Sequence, residues 1–192
     1  MATTRILCLH GYHGSAAILR SQMRPLVEDL DRAVEFVHVD APSRATGDFG
    51  WWHRDFQGWE RTRDWATALF AREAFAGVFG FSQGAALTSL LVGMVPFEFA
   101  VMVGGFRSDS PRHAHLYAAT DRYRMPSFHV VGQADRVVPA RDSLRLAAQF
   151  TAPTVVRHPG GHVIPGTPEV RAAFAAFLTR VVTPAAKPPS AG

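Results

Sequence analysis

Two periodicities alternate along this chain. Short apolar runs cover Arg5–Leu9, Glu35–Val39, Gly77–Phe81, Phe99–Val103, Ser127–Val131 and Thr154–Arg157. Several of them are apolar throughout, the mark of strands covered on both faces. Between them, apolar residues recur at helical spacing over Ala17–Leu30, Asp64–Ala74, Gln83–Met94, Asp142–Phe150 and Pro168–Val182. This alternation predicts an α/β fold: a mainly parallel six-stranded sheet, helices on both faces and right-handed crossovers.

Two segments break the rhythm. Asp40–Arg63 is long and aromatic, and Gly104–Met125 is polar, with Arg, His and Ser. Both follow the C-terminal ends of predicted strands, where open α/β sheets bind ligands. A length of 192 residues suits one domain, expected over 1–182. The Pro/Ala-rich residues 183–192 read as a disordered tail.

The bulk numbers narrow the possibilities. The apolar runs are strand-length, and the start lacks the pattern of a secretory signal, so the chain reads as cytoplasmic and not membrane-bound. Cys8 is the single cysteine and falls in an apolar run, where a small buried hydrophobe is expected. The net charge is +4, but the arginines are scattered and Lys187 is the single lysine. Nucleic acid is not an expected partner.

The chemistry centres on "GFSQG", Gly80–Gly84. Between a buried strand and a helix, G-x-S-x-G forms a tight turn that lifts the serine hydroxyl above the sheet. Ser82 is the candidate nucleophile, and a serine needs a base. His162 lies in "RHPGGHVIPG", a glycine loop directly after the last strand. His158, at the strand end, reads as packed, and Pro159-Gly160-Gly161 rules out a helical zinc pair with His162. Asp135, just after the strand Ser127–Val131, is placed to orient His162. Asp142 reads as a helix start, and Asp109 and Asp121 lie in the irregular segment. The order Ser82, Asp135, His162 is that of α/β-hydrolases. Two N–H donors are needed for the oxyanion: Gln83 supplies one, and Tyr12, in "LHGYHGS", supplies the other by position. His10 and Gly11 shape that turn. No P-loop and no G-x-G-x-x-G follows any strand, so no cofactor and no metal is expected.

The pieces "ILCLHGYHGSAAILRSQ", "GVFGFSQGAAL", "HVVGQADRVVP" and "HPGGHVIP" resemble, in order, the FSH family of small serine hydrolases within the α/β-hydrolase superfamily. Trp51-Trp52 resembles an aromatic pair of that family. The resemblance implies the triad Ser82, Asp135 and His162, a sheet order of 2-1-3-4-5-6, and hydrolysis of a carboxylic ester or thioester through an acyl-serine. The short chain leaves no room for a large cap domain. The expected partner is a small-molecule acyl ester or thioester, or an acyl chain on a carrier; the oligomeric state is not legible. An acyltransferase or cyclase using the same acyl-enzyme is the alternative, and a non-catalytic binding protein on the same fold a lesser one. Phe49, Trp51, Trp52, Phe56 and Trp59 are candidates for an acyl-binding wall, or else anchor their loop to the core.

Overall fold

In the computed structural model, which describes residues 3–30, 34–45, 48–118 and 123–182, the six apolar runs pair into one sheet. Its strands are β1 (Thr4–Leu9), β2 (Val34–Val39), β5 (Gly77–Phe81), β6 (Phe99–Val103), β7 (Ser127–Gly132) and β8 (Pro153–His158). All pair in parallel, in the order β2-β1-β5-β6-β7-β8. Counted along the chain, that is the expected 2-1-3-4-5-6. Pro153 is tolerated because it opens an edge strand, where no ladder donor is lost.

Strand alternation splits the interior into two cores. Ile6, Cys8, Phe79, Phe81, Phe99 and Val101 face one side. There they meet α1 (Ala16–Val27) and α6 (Pro168–Val182) through Leu19, Met23, Phe174 and Phe177. Leu7, Leu9, Val78, Ala100 and Met102 face the other side. They are covered by α2 (Trp59–Arg72), α3 (Gln83–Val92) and α5 (Ala140–Ala147). Every residue of α3 is buried, which explains its lack of a polar face. Cys8 is buried as expected, and burial pushes its thiol pKa well up.

Both irregular segments carry more structure than their sequence signals. Asp40–Arg63 holds an antiparallel hairpin of β3 (Ser43–Ala45) and β4 (Asp48–Gly50) and a 3₁₀ turn at Arg54–Phe56. Helix α2 starts at Trp59, five residues before the Asp64 read from spacing, because Gly58 turns the chain at φ +84°. Gly104–Met125 contains a 3₁₀ turn at Pro111–His113 and the short α4 (Ala114–Tyr117). The tail 183–192 and Asp121 lie outside the described residues. Among the described residues no helix is long and apolar enough to cross a membrane.

Candidate active site

The site lies at the C-terminal edge of the sheet and begins with the turn after β5. Ser82 takes φ +56° and ψ −118°, a conformation that L-residues avoid. The turn is held by Ser82 N–H donating to the Val103 carbonyl (2.9 Å) and Ala86 N–H donating to the Ser82 carbonyl (3.0 Å). It also requires its glycines. A β-carbon at Gly80 would collide with the Gly84 backbone, and one at Gly84 with the Leu9 carbonyl. The hydroxyl therefore stands at the N-terminal end of α3, where the helix dipole favours negative charge.

His162 and Asp135 reach the same point from the loops after β8 and β7. His162 Nε2 lies 2.8 Å from Ser82 Oγ, and its Nδ1 lies 2.7 Å from Asp135 Oδ2. An ionised carboxylate only accepts, so Nδ1 carries the hydrogen and Nε2 presents its lone pair to the serine hydroxyl. Asp135 Oδ1 accepts from the N–H groups of Val137 and Val138, both at 2.8 Å. Burial by itself raises the Asp135 pKa. The hydrogen bonds from His162, Val138 and Val137 outweigh that, and the carboxylate sits below its ordinary value. The Phe81 ring lies against the imidazole, with centroids 4.9 Å apart. Gly104, at φ +55°, leaves room for it: a β-carbon there would lie 3.0 Å from His162 Cε1. His158 is buried, as read from sequence, and burial lowers its pKa.

The loop after β1 closes on the same serine. A β-carbon at Gly11 would come within 3.3 Å of Ser82 Cβ, and Tyr12, Ser82 and Gln83 line one cavity. Neither the Tyr12 nor the Gln83 main-chain N–H donates to another group among the described residues. His10 is buried and structural. Its Nε2 accepts from Ala41 N–H (3.1 Å), so its Nδ1–H donates to the Gly11 carbonyl (2.7 Å).

The Gln83 side chain has a task that sequence reasoning missed. Its Oε1 accepts from Trp51 N–H (3.0 Å), and its amide donates to the Trp52 carbonyl (2.7 Å). Trp51 in turn donates its indole N–H to the His10 carbonyl (2.7 Å). The available signal was a long amide side chain opening a helix whose other residues are apolar or small hydroxyl residues. These bonds correct one expectation about the aromatic stretch. Trp51, Trp52 and Trp59 are buried and Phe56 is half-buried; none of the four lines the cavity beside Ser82. They face the core because α2 starts early and turns the stretch inward. Phe49 is likewise packed against that core.

The cavity, of about 800 Å³, is walled instead by the segment after β6, the loop into α5 and α5 itself, including Phe106, Arg107, Ser108, Val138 and Arg145. His113 pins the first of these segments. It is fully buried, its ring lies 4.2 Å from that of Trp59, and its Nδ1 is 2.8 Å from Ser108 Oγ. Burial first, then the neighbouring His115 and Arg112, push its pKa down to about 4.

A parallel sheet in this order, with a strained serine turn between strand and helix and no large cap, defines an α/β-hydrolase. Known proteins narrow the class. The family described as serine hydrolase (FSH1) matches residues 1–174, and the chain belongs to that family of hydrolytic enzymes. Among its relatives, the protein named esterase OVCA2 of Danio rerio is 32% identical over 220 residues, covering 92% of this chain and 96% of that protein. The protein named esterase CG5412 of Drosophila melanogaster is 29% identical over 205 residues, covering 91% and 73%. Acyl-protein thioesterase 2 of Zea mays shares the fold, with a TM-score of 0.73 over 95% of both chains at 20% identity.

Proposed function

We propose that the protein hydrolyses a carboxylic ester or thioester of a small acyl substrate through an acyl-serine at Ser82, within one catalytic domain over 1–182. The observation that carries this reading is the unbroken hydrogen-bonded chain Ser82–His162–Asp135, at 2.8 and 2.7 Å, ending in a strained turn beside an open cavity. The esterase names of the relatives support the same reading.

His162 Nε2 takes the Ser82 proton as Oγ attacks the acyl carbon. Asp135 holds the Nδ1–H and stabilises the imidazolium that forms. The N–H groups of Gln83 and Tyr12 are unengaged and border the cavity, so they serve the oxyanion; losing one such donor costs roughly 100- to 1,000-fold in rate. Collapse of the tetrahedral intermediate breaks the bond to the leaving group. His162 passes its proton to the departing alcohol or thiol, then activates a water that frees the acid from Ser82.

The test is covalent labelling with a fluorophosphonate probe, together with hydrolysis of p-nitrophenyl esters, in the wild type and Ser82→Ala. Labelling and turnover should both vanish in the variant. Labelling that survives Ser82→Ala would overturn the assignment.

A further inference from the structure

The acyl-serine chemistry uses Tyr12, Ser82 and Gln83 at the cavity wall and gives no task to the two guanidiniums that share it, Arg107 and Arg145. Arg107 is set apart by its surroundings. Among the described side chains, three arginines are half-buried: Arg5, Arg107 and Arg171. Arg5 holds Glu35 and Glu73, and Arg171 holds Glu28 and Asp29. Arg107 has no carboxylate and no hydrogen-bond acceptor among the described residues. Partial burial strips water from a cation, and proteins ordinarily compensate with an anion.

Arg107 is nevertheless held in place. Its guanidinium carbon lies 4.5 Å from the centre of the Tyr117 ring. Tyr117 is itself buried and fixed, its hydroxyl 2.9 Å from Ser89 Oγ and accepting from Ser108 N–H at 3.0 Å. Contact with a ring face orients the cation while leaving its N–H edge open to a ligand. Arg145, on α5, is exposed and also without a partner among the described residues. Two carboxylates share the wall. Asp142 lies 3.9 Å from Arg141, and Asp109 is exposed and makes no ion pair with Arg107. The wall thus carries two guanidiniums and two carboxylates, and Arg107 is the charged group among them that is at once half-buried, held against a ring and without a counter-ion among the described residues.

Resting on the hydrolase reading, we infer that the substrate carries an anionic group, a carboxylate or phosphate, which Arg107 grips and Arg145 helps to attract. A planar guanidinium with free donors matches either oxygen anion in a two-point contact, and a preset side chain binds at low ordering cost.

Two substrate pairs test this and locate the anion. The first compares p-nitrophenyl hexanoate with the mono-p-nitrophenyl ester of adipic acid, which places a carboxylate at the end of the acyl chain. The second compares hexanoyl-N-acetylcysteamine with hexanoyl-coenzyme A, which places phosphates on the leaving group. At least one anionic member should exceed its neutral partner about tenfold or more in kcat/KM, the size of a charge-assisted bond. Arg107→Gln should collapse that ratio towards one, and Arg107→Lys should retain part of it. The ratio is read on a single preparation, so a poorly folding variant does not mimic the effect. Ser82-dependent turnover of the neutral ester with both ratios at or below one, or a ratio untouched by Arg107→Gln, overturns the anion site alone. Absence of any Ser82-dependent turnover overturns the hydrolase reading and the anion site with it.

Discussion

Replacing Asp135 with Asn tests the proton arrangement through one atom. Two main-chain donors, Val137 and Val138 N–H, each 2.8 Å away, point at Oδ1. In Asp135→Asn the amide oxygen must occupy that position, because an NH₂ there would face two donors and leave both unpaired, one buried and one part-buried, at about 1–3 kcal/mol for a buried donor. The NH₂ therefore turns to His162 Nδ1, 2.7 Å from the present Oδ2. A donor facing Nδ1 requires a lone pair there, so the imidazole hydrogen moves to Nε2, facing Ser82. The base is then in the wrong tautomer, and the imidazolium loses its counter-charge. The same exchange in a Ser-His-Asp protease lowers kcat by about 10,000-fold, which is the expected size here.

Hydrolysis of p-nitrophenyl butyrate and the rate of fluorophosphonate labelling should fall together, while Tm stays within a few degrees. Asp135→Ala provides the contrast. It leaves both valine N–H groups without an acceptor around a side chain that is 2% exposed. At 2–4 °C per kcal/mol for a chain of this size, Tm should fall by roughly 5–20 °C. An Asp135→Asn enzyme within about tenfold of the wild type would refute the tautomer argument.

Three further outcomes are expected. Gly104→Ala forces an L-residue to φ +55°, at about 1–2 kcal/mol, and pushes on His162; kcat should drop about 100-fold for a shift on the order of 1 Å, with a modest loss in Tm, and unchanged kinetics would show that His162 is not confined there. Trp51→Phe keeps a buried ring but removes the indole donor to the His10 carbonyl (2.7 Å); kcat should fall more than Tm as the Tyr12 loop loosens, and a KM effect alone would contradict this. Acid should weaken the fold well above the carboxylate range. Burial lowers the His129 pKa to about 3, and the His113 pKa is down at about 4, so below about 6.5 the unfolded chain binds protons that the fold does not; stability is full above that pH and declines as pH falls, by roughly 1–2 kcal/mol per histidine between pH 7 and 5. His10, His38 and His158 are lowered too and act in the same direction. A urea midpoint unchanged between pH 7 and 5 would rule this out.

What sequence could and could not foretell follows from the range over which each signal acts. The two central strands were the most readable, because a strand covered on both faces has no polar positions, and Gly77–Phe81 and Phe99–Val103 match to the residue; β2 and β8, at the edges, carry polar residues and were read from their β-branched and apolar positions. Ser82, Asp135 and His162 were readable because each follows a strand directly, so its position depends on one short connection. The cavity wall was not. Arg107 and Ser108 sit in a segment without periodicity, and its course is set by distant contacts such as His113 on Trp59. The aromatic stretch was read as a choice between acyl wall and anchor, and geometry selects the anchor. A tryptophan buries as much area against a core as against an acyl chain, so composition alone does not separate the two.

That stretch still bears on the site, through hydrogen bonds and not through substrate contact. Trp51 bonds the His10 carbonyl with its ring N–H and Gln83 Oε1 with its main-chain N–H. His10 is two residues before Tyr12, and Gln83 directly follows Ser82. One buried tryptophan, 0% exposed, thus ties together the two loops that carry the proposed oxyanion donors. Separate loops would drift relative to each other, and an oxyanion contact is sensitive to shifts well below 1 Å. Burying the aromatic residues away from substrate converts their packing energy into a fixed spacing between two N–H groups. The segment that carries Arg107 leans on the same cluster through His113 and Trp59. The proposed oxyanion donors and the proposed anion site therefore share one support, and loosening it should change rate and selectivity together.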